Sequence, residues 1–156
     1  MFRKMRRHKQ ALSKDECVDI IINEPRGVLA LTGDYNYPYT IPMSHVYVDG
    51  KIYFHGAKKG HKIDSIEKCD KVSYCVMDNG IKNDDGWSYT FKSVIVFGRI
   101  RILTDDGEKI EKLTQLGDKF FPTHEETVKE INRLLNKTAV FEITPEHITG
   151  KIVEEK

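Results

Sequence analysis

The amino-acid sequence predicts an α+β fold: a mostly antiparallel barrel of about six to seven strands with flanking helices. Two observations carry this prediction. Strand-like runs follow one another through tight turns, which implies antiparallel pairing and argues against alternating βαβ units. Helical patterns are confined to the start of the chain, a short stretch after residue 60, and a block between residues 106 and 135. At 156 residues the chain is expected to form one domain able to bury a full core.

Each element has a local signal. Ser13-Lys14-Asp15-Glu16 has the form of a capping box, followed by Cys17, Val18, Ile20, Ile21 and Ile22. That helix should end near Pro25, because the residue before proline resists the α conformation. Residues 27–32 read as a buried strand, and Gly33-Asp34 begins a turn. Next comes a ribbon whose Asp49-Gly50 pair suits a type I′ turn, in which both central residues need positive φ. Such a turn pairs Val48 with Lys51, Val46 with Tyr53, and Ser44 with His55. Residues 63–68 form a short helix, and 71–77 a strand rich in β-branched and aromatic residues. A polar loop over 78–86 leads to Trp87. Residues 93–103 are the longest β run, where Gly98 signals a bulge, a bend or a close backbone approach. Helices follow over 106–117 and 125–135, separated by Pro122, with Phe120 and Phe121 anchoring the join. A strand over 138–144 closes the pattern, with a short one after Gly150.

Composition narrows the function classes. Twenty-five Lys and Arg against 24 Asp and Glu give a formal net charge of +1, so neither nucleic acid nor a membrane is expected as a partner. The basic start, residues 1–12, reads as an arm ahead of a single domain over 13–156. Cys17, Cys69 and Cys75 are sparse, odd in number and without metal spacing, which fits a reducing, cytoplasmic compartment. No apolar run approaches a membrane span.

Two constellations carry chemistry. The segment Gly56-Ala57-Lys58-Lys59-Gly60-His61-Lys62 precedes a helix start, where unpaired backbone N–H groups favour an anion. Gly56 and Gly60 let the backbone come close to a ligand, and the lysines and His61 add cationic donors. This suggests a phosphate-bearing ligand; the alternative is a solvated basic turn. Beside it, Ser44 and His55 share one face of the ribbon with Pro42 and Ala57, leaving room for a flat ligand against the strands. The Ser/His couple also raises nucleophilic catalysis, but there is no G-x-S-x-G elbow and no orienting acid. The histidines form no metal-binding motif, and haem ligation by one of them stays open.

The segments GDYNYPYTIPMSHVYVDGKIYFHGAKKGHKID, YTFKSVIVFGRIRIL and ITPEHITGK resemble the nitroimidazole-resistance (Nim) proteins. These belong to the pyridoxamine 5′-phosphate oxidase-like, FMN-binding split-barrel superfamily. The resemblance runs from the basic start to about residue 154 and implies that the barrel is a split barrel. It further implies a homodimer with FMN at the subunit interface, the phosphate on His61 and Lys62, and the flavin ring along Pro42, Met43 and Ser44. His55 would stand beside the cofactor and be tied to activity. Ser93 would approach it from the partner subunit, and Gly56, Ala57 and Gly60 would complete the cofactor site. The expected function is an FMN-dependent reductase of nitroaromatic or other flat acceptors. The alternative is a flavin or haem binding and storage protein without turnover. Pyridoxamine oxidation is not expected, because the chain shows no substrate-phosphate arginine set.

Overall fold

The computed structural model describes residues 1–155 and contains one antiparallel sheet with four α-helices. Helix α1 (Lys14–Asn23) starts at the capping box: the Ser13 hydroxyl accepts from the Glu16 amide, and Glu16 accepts from the Ser13 amide. Strands β1 (Arg26–Thr32), β2 (Pro38–Ser44), β3 (Val46–Val48) and β4 (Lys51–Ala57) follow. Then come α2 (His61–Lys68), β5 (Lys71–Met77), the two-residue β6 (Ile81–Lys82) and β7 (Tyr89–Ile102). Helices α3 (Asp106–Phe120) and α4 (His124–Leu134) form a hairpin before the last strand, β8 (Thr138–Glu154). The sheet order is β2-β1-β5-β7-β8-β4-β3, with β6 alongside β7. Among the described residues, no helix is long and apolar enough to cross a membrane.

The inner face of the curled sheet forms the main core from Leu29, Phe54, Tyr74, Val94, Val96, Phe141 and their neighbours. Helix α1 adds Cys17 and Ile21 to it, and α2 adds Ile63 and Ile66. A second, smaller core lies outside the barrel, where the α3–α4 hairpin covers Tyr53, Leu103 and Val140 with Leu113. Only part of the outer face is therefore roofed. Among the described residues no helix packs on the outer face of β1, β2, β5 and β7, where only Phe2 of the N-terminal segment stacks on Phe97, and Val28, expected inside a buried strand, is 39% exposed. Strand β1 is thus half-buried, with Gly27, Leu29 and Leu31 inward.

Three further departures have physical causes. Strand β7 begins at Tyr89 rather than 93 because its first residues pair with the tail of β8. Strand β8 is continuous through Gly150: the register shift at Phe97/Gly98 absorbs its bend, so a second strand never starts. A Cβ at Gly98 would collide with the Thr144 carbonyl, which accounts for glycine there. Helix α3 does not stop at Gly117 but continues to Phe120. Gly117 lets α4 approach, since a Cβ there would strike Thr127. Its role is close packing and not termination.

A buried ionic group holds β4, β7 and β8 together. Glu142, 2% exposed, accepts from Arg101 Nε (2.7 Å) and Nη2 (3.0 Å), from Lys51 Nζ (3.0 Å) and from the Tyr53 hydroxyl (2.9 Å). Burial alone would raise the pKa of this carboxyl; the hydrogen bonds from Arg101, Lys51 and Tyr53 outweigh it and hold the value at about 2.

Candidate functional site

The site grows from the place where the barrel fails to close. Strands β2 and β3 are the two ends of the sheet, yet they are consecutive in the chain and separated only by His45. The type I′ turn is present, with Asp49 at φ 49° and Gly50 at φ 80°. It sets the expected pairs Val48–Lys51 and Val46–Tyr53. The pair Ser44–His55 does not form. At His45 the ribbon changes partners, so Ser44 pairs with Arg26 of β1, and His55 pairs with Val140 of β8.

Beyond Tyr53, β4 pairs with β8 on one side and with no strand on the other among the described residues. Likewise β2 pairs with β1 on one side only. The two open edges, Pro42-Met43-Ser44 and His55-Gly56-Ala57, flank a split in the barrel. Their free backbone N–H and C=O groups need partners, whether water or a ligand.

Buried hydrogen bonds fix the seam. His45 is fully buried, and its Nε2–H donates to the Ile21 carbonyl at 2.6 Å. Its Nδ1 faces the Tyr74 hydroxyl at 2.9 Å, and the one hydroxyl hydrogen is shared with the Met43 carbonyl at 3.0 Å. Burial lowers the His45 pKa to about 4, against the hydrogen bond to Ile21 and with the help of Lys119. Lys119 Nζ in turn donates to the carbonyls of Glu24 (2.9 Å) and His45 (3.0 Å), tying the end of α3 to the seam.

The basic loop closes one end of the split. Gly60 has φ 117°, in the region that favours glycine, and α2 begins there without a side-chain cap. His61 stacks on Tyr39 with centroids 4.0 Å apart, and its Nε2 accepts from the Asp34 amide at 3.3 Å. Lys62 Nζ lies 4.8 Å over the Phe141 ring and against Gly56, where a Cβ would collide with it. Burial lowers the Lys62 pKa. Lys58 and Lys59 are exposed. The donor set fits a phosphate ester: an uncapped helix start, a half-buried lysine and flanking cations.

On the other side of the split, Ser44 and His55 face a cleft of about 280 Å³ beneath the α3–α4 hairpin. Leu116, Phe120, Phe121, Ile131 and Leu134 wall it, with Glu130 at its polar side. His55 is open to solvent but sits in a concave surround. Burial lowers its pKa, Lys62 lowers it further, and Glu130 opposes both. Among the described residues, neither the Ser44 hydroxyl nor the His55 ring has a hydrogen-bond partner.

Of the residues singled out from the sequence, Pro42, Met43, Ser44, His55, Gly56, Ala57, Gly60, His61 and Lys62 all lie on the split or its closing loop. Met43 contributes backbone there, its side chain being buried inward. Ser93 does not join them; it pairs with Met77 and Lys151 on the unroofed outer face. Sequence reasoning missed the walls of the cleft. The apolar spacing of Leu113, Leu116 and Phe120, and of Ile131 with Leu134, signals a buried helix face but not which side of the sheet it covers.

Comparison with known proteins places this architecture. Residues 13–152 match the model of the family described as pyridoxamine 5′-phosphate oxidase. The fold is similar to that of a candidate 5-nitroimidazole antibiotic resistance protein from Bacteroides thetaiotaomicron (TM-score 0.77, 18% identity, 92% of this chain and 87% of that one). It is also similar to an FAD-binding protein from Mesorhizobium loti (TM-score 0.69, 26% identity, 92% and 97%). A third similar structure is the flavocytochrome Anf3 from Azotobacter vinelandii (TM-score 0.78, 20% identity, 99% and 75%). Among curated proteins none matches. With the family model covering nearly the whole chain, this protein belongs to the pyridoxamine 5′-phosphate oxidase family.

Proposed function

We propose that this chain is an FMN-dependent reductase of flat small-molecule acceptors, nitroaromatic compounds among them, and that it works as a homodimer. The observation that carries the reading is the split: two unpaired strand edges converge on the uncapped start of α2 with Lys62 beside it. Backbone donors and acceptors suit the polar edge of a flavin ring, and the helix start suits its phosphate. FMN, when bound, supplies the electron-transfer chemistry. His61 and Lys62 hold the phosphate, Pro42–Ser44 support the ring, and Gly56, Ala57 and Gly60 admit close backbone approach. Membership of the family supports the reading, as do neighbours that are themselves FAD-binding proteins and a flavocytochrome. A storage protein has no need of a second site, so the cleft opening on Ser44 and His55 favours turnover over storage.

The unroofed outer face supports the dimer. One row crosses five strands as Pro42–Val28–Cys75–Ile95–Thr149, and the next places Phe97 beside His147, with the Phe2 ring stacked on both. The first row starts at Pro42, so a second copy seated on this face adjoins the flavin site. Ser93, on the same face, then reaches the site from the partner copy.

Lys62→Ala removes the one half-buried cation at the helix start. It is expected to weaken FMN affinity about tenfold or more, read by quenching of flavin fluorescence. Affinity equal to the parent's would take Lys62 out of the phosphate site.

A further inference from the structure

The N-terminal arm is fastened to the sheet at both of its ends. Phe2 stacks on His147 of β8 with centroids 4.6 Å apart and on Phe97 of β7 at 5.7 Å. At the other end the Leu12 amide donates to the Gly150 carbonyl at 2.9 Å, and Ala11 bridges to Lys151. Strand β4 pairs only with residues 138–143 of β8, so the second half of β8 is an edge, and the arm runs along it. Between the arm and this edge lies a cavity of about 450 Å³, lined by Phe2, Arg3, Lys4 and His8 and by His147 and Thr149.

The charge here is one-sided. Residues 1–12 hold five of the chain's 25 Lys and Arg and none of its 24 Asp and Glu. No carboxylate lines the cavity, and among the described residues none pairs with Arg3 or Lys4. Glu146, beside His147 in the chain, is held by Arg99 at 3.0 Å. A guanidinium and an ammonium without counter-ions on one wall suit an anion, and a phosphate matches the guanidinium fork.

The other wall is aromatic. Phe2 and His147 lie within 4° of parallel, and Phe2 keeps 42% of its surface open. A flat ring can extend this stack, since stacking on an aromatic side chain tolerates any planar base. Ring and anion must then belong to one ligand. The volume falls within the range of small-molecule sites and suits a single nucleotide.

We propose that the arm and the edge of β8 form a binding site for a mononucleotide, its base stacked on Phe2 and its phosphate held by Arg3 and Lys4. The cavity shares no lining residue with the cleft at Ser44 and His55. The proposal rests on neither the flavin reading nor the dimer.

The test titrates AMP, adenosine and inorganic phosphate against the full chain, with and without saturating FMN, by ligand-observed NMR. AMP is expected to bind at least about tenfold more tightly than adenosine or phosphate, whether or not FMN is present. Phe2→Ala should weaken AMP at least about fivefold. Arg3→Gln combined with Lys4→Gln should bring AMP to within about threefold of adenosine. All three positions lie outside both cores, so folding and FMN affinity should be unchanged. Equal affinity for AMP and adenosine, AMP binding that FMN abolishes, or undiminished binding to the arm variants overturns the proposal. So does a hexaadenylate that binds more than about tenfold more tightly than AMP, which would make the arm a nucleic-acid contact. Failure of the parent to bind FMN would remove the flavin reading and leave the nucleotide site to stand or fall on the arm variants.

Discussion

Replacing His55 with alanine is expected to leave FMN binding intact and to reduce acceptor turnover about a hundredfold. His55 stands where the split and the cleft meet, so its side chain borders both the proposed flavin and its acceptor. The main contacts assigned to FMN come from other groups: the start of α2, Lys62, and the backbone of β2. Alanine at position 55 leaves the backbone edge of β4 unchanged, because the His55–Val140 pairing is made by main-chain groups. Burial and Lys62 keep the His55 pKa below its ordinary value of 6.5 despite Glu130, so the ring is neutral at pH 7. On the proposed reading its work at that pH is to orient the acceptor by hydrogen bonding. Turnover should be level above pH 6.5 and change only below it. Rates for His55→Ala equal to the parent's, with photoreduced FMN as electron source, would end the assignment.

The second large effect concerns stability. Glu142→Gln is expected to lower unfolding free energy by about 2–3 kcal/mol, since Arg101 and Lys51 lose the buried charge they share. The loss is held to that range because both cations remain partly exposed. The folded-state pKa of Glu142 is depressed from 4.5 to about 2, so its stabilisation is complete above pH 4.5 and is lost as pH falls towards 2. Burial also depresses His45, from 6.5 to about 4, so the unfolded chain takes up its proton first as pH falls. Acid should therefore weaken the parent in two stages, each on the order of 3 kcal/mol: first between pH 6.5 and 4, then between 4.5 and 2. Urea midpoints across this range measure it. The Glu142→Gln protein should lack the second stage and His45→Gln the first. Parent-like acid profiles in both variants would contradict the assignment of these two groups.

What the sequence showed follows the range of the interactions involved. Features set within a few residues were legible. The capping box at Ser13 and Glu16, the Asp49-Gly50 turn and the helix start after Gly60 each depend on local backbone geometry. Features set by distant partners were not. The ribbon register could be extended to Ser44–His55 on paper, because nothing near Ser44 announces that β1 captures it. The break depends on His45, whose amide donates to the Pro25 carbonyl and whose ring reaches Ile21 and Tyr74. Gly117 looked like a helix end, and only Thr127 of a neighbouring helix explains it. The cluster at Glu142 joins residues from three strands and has no sequence signature at all. Most candidate site residues nevertheless come together, since β2, β4 and the loop into the start of α2 supply them within about twenty residues of chain. Ser93, from β7, is the exception: it lies away from the split, and would reach it only from the partner copy of the proposed dimer.

Titrating the cofactor-free protein with FMN, followed by gel filtration and a visible spectrum, tests the central claim most directly. A stoichiometric flavin spectrum that elutes with the protein, and weakens in Lys62→Ala, is the predicted result. Flavin that elutes free of the parent protein, or a purified protein that carries a haem Soret band and refuses FMN, would contradict the assignment of the split as a flavin site.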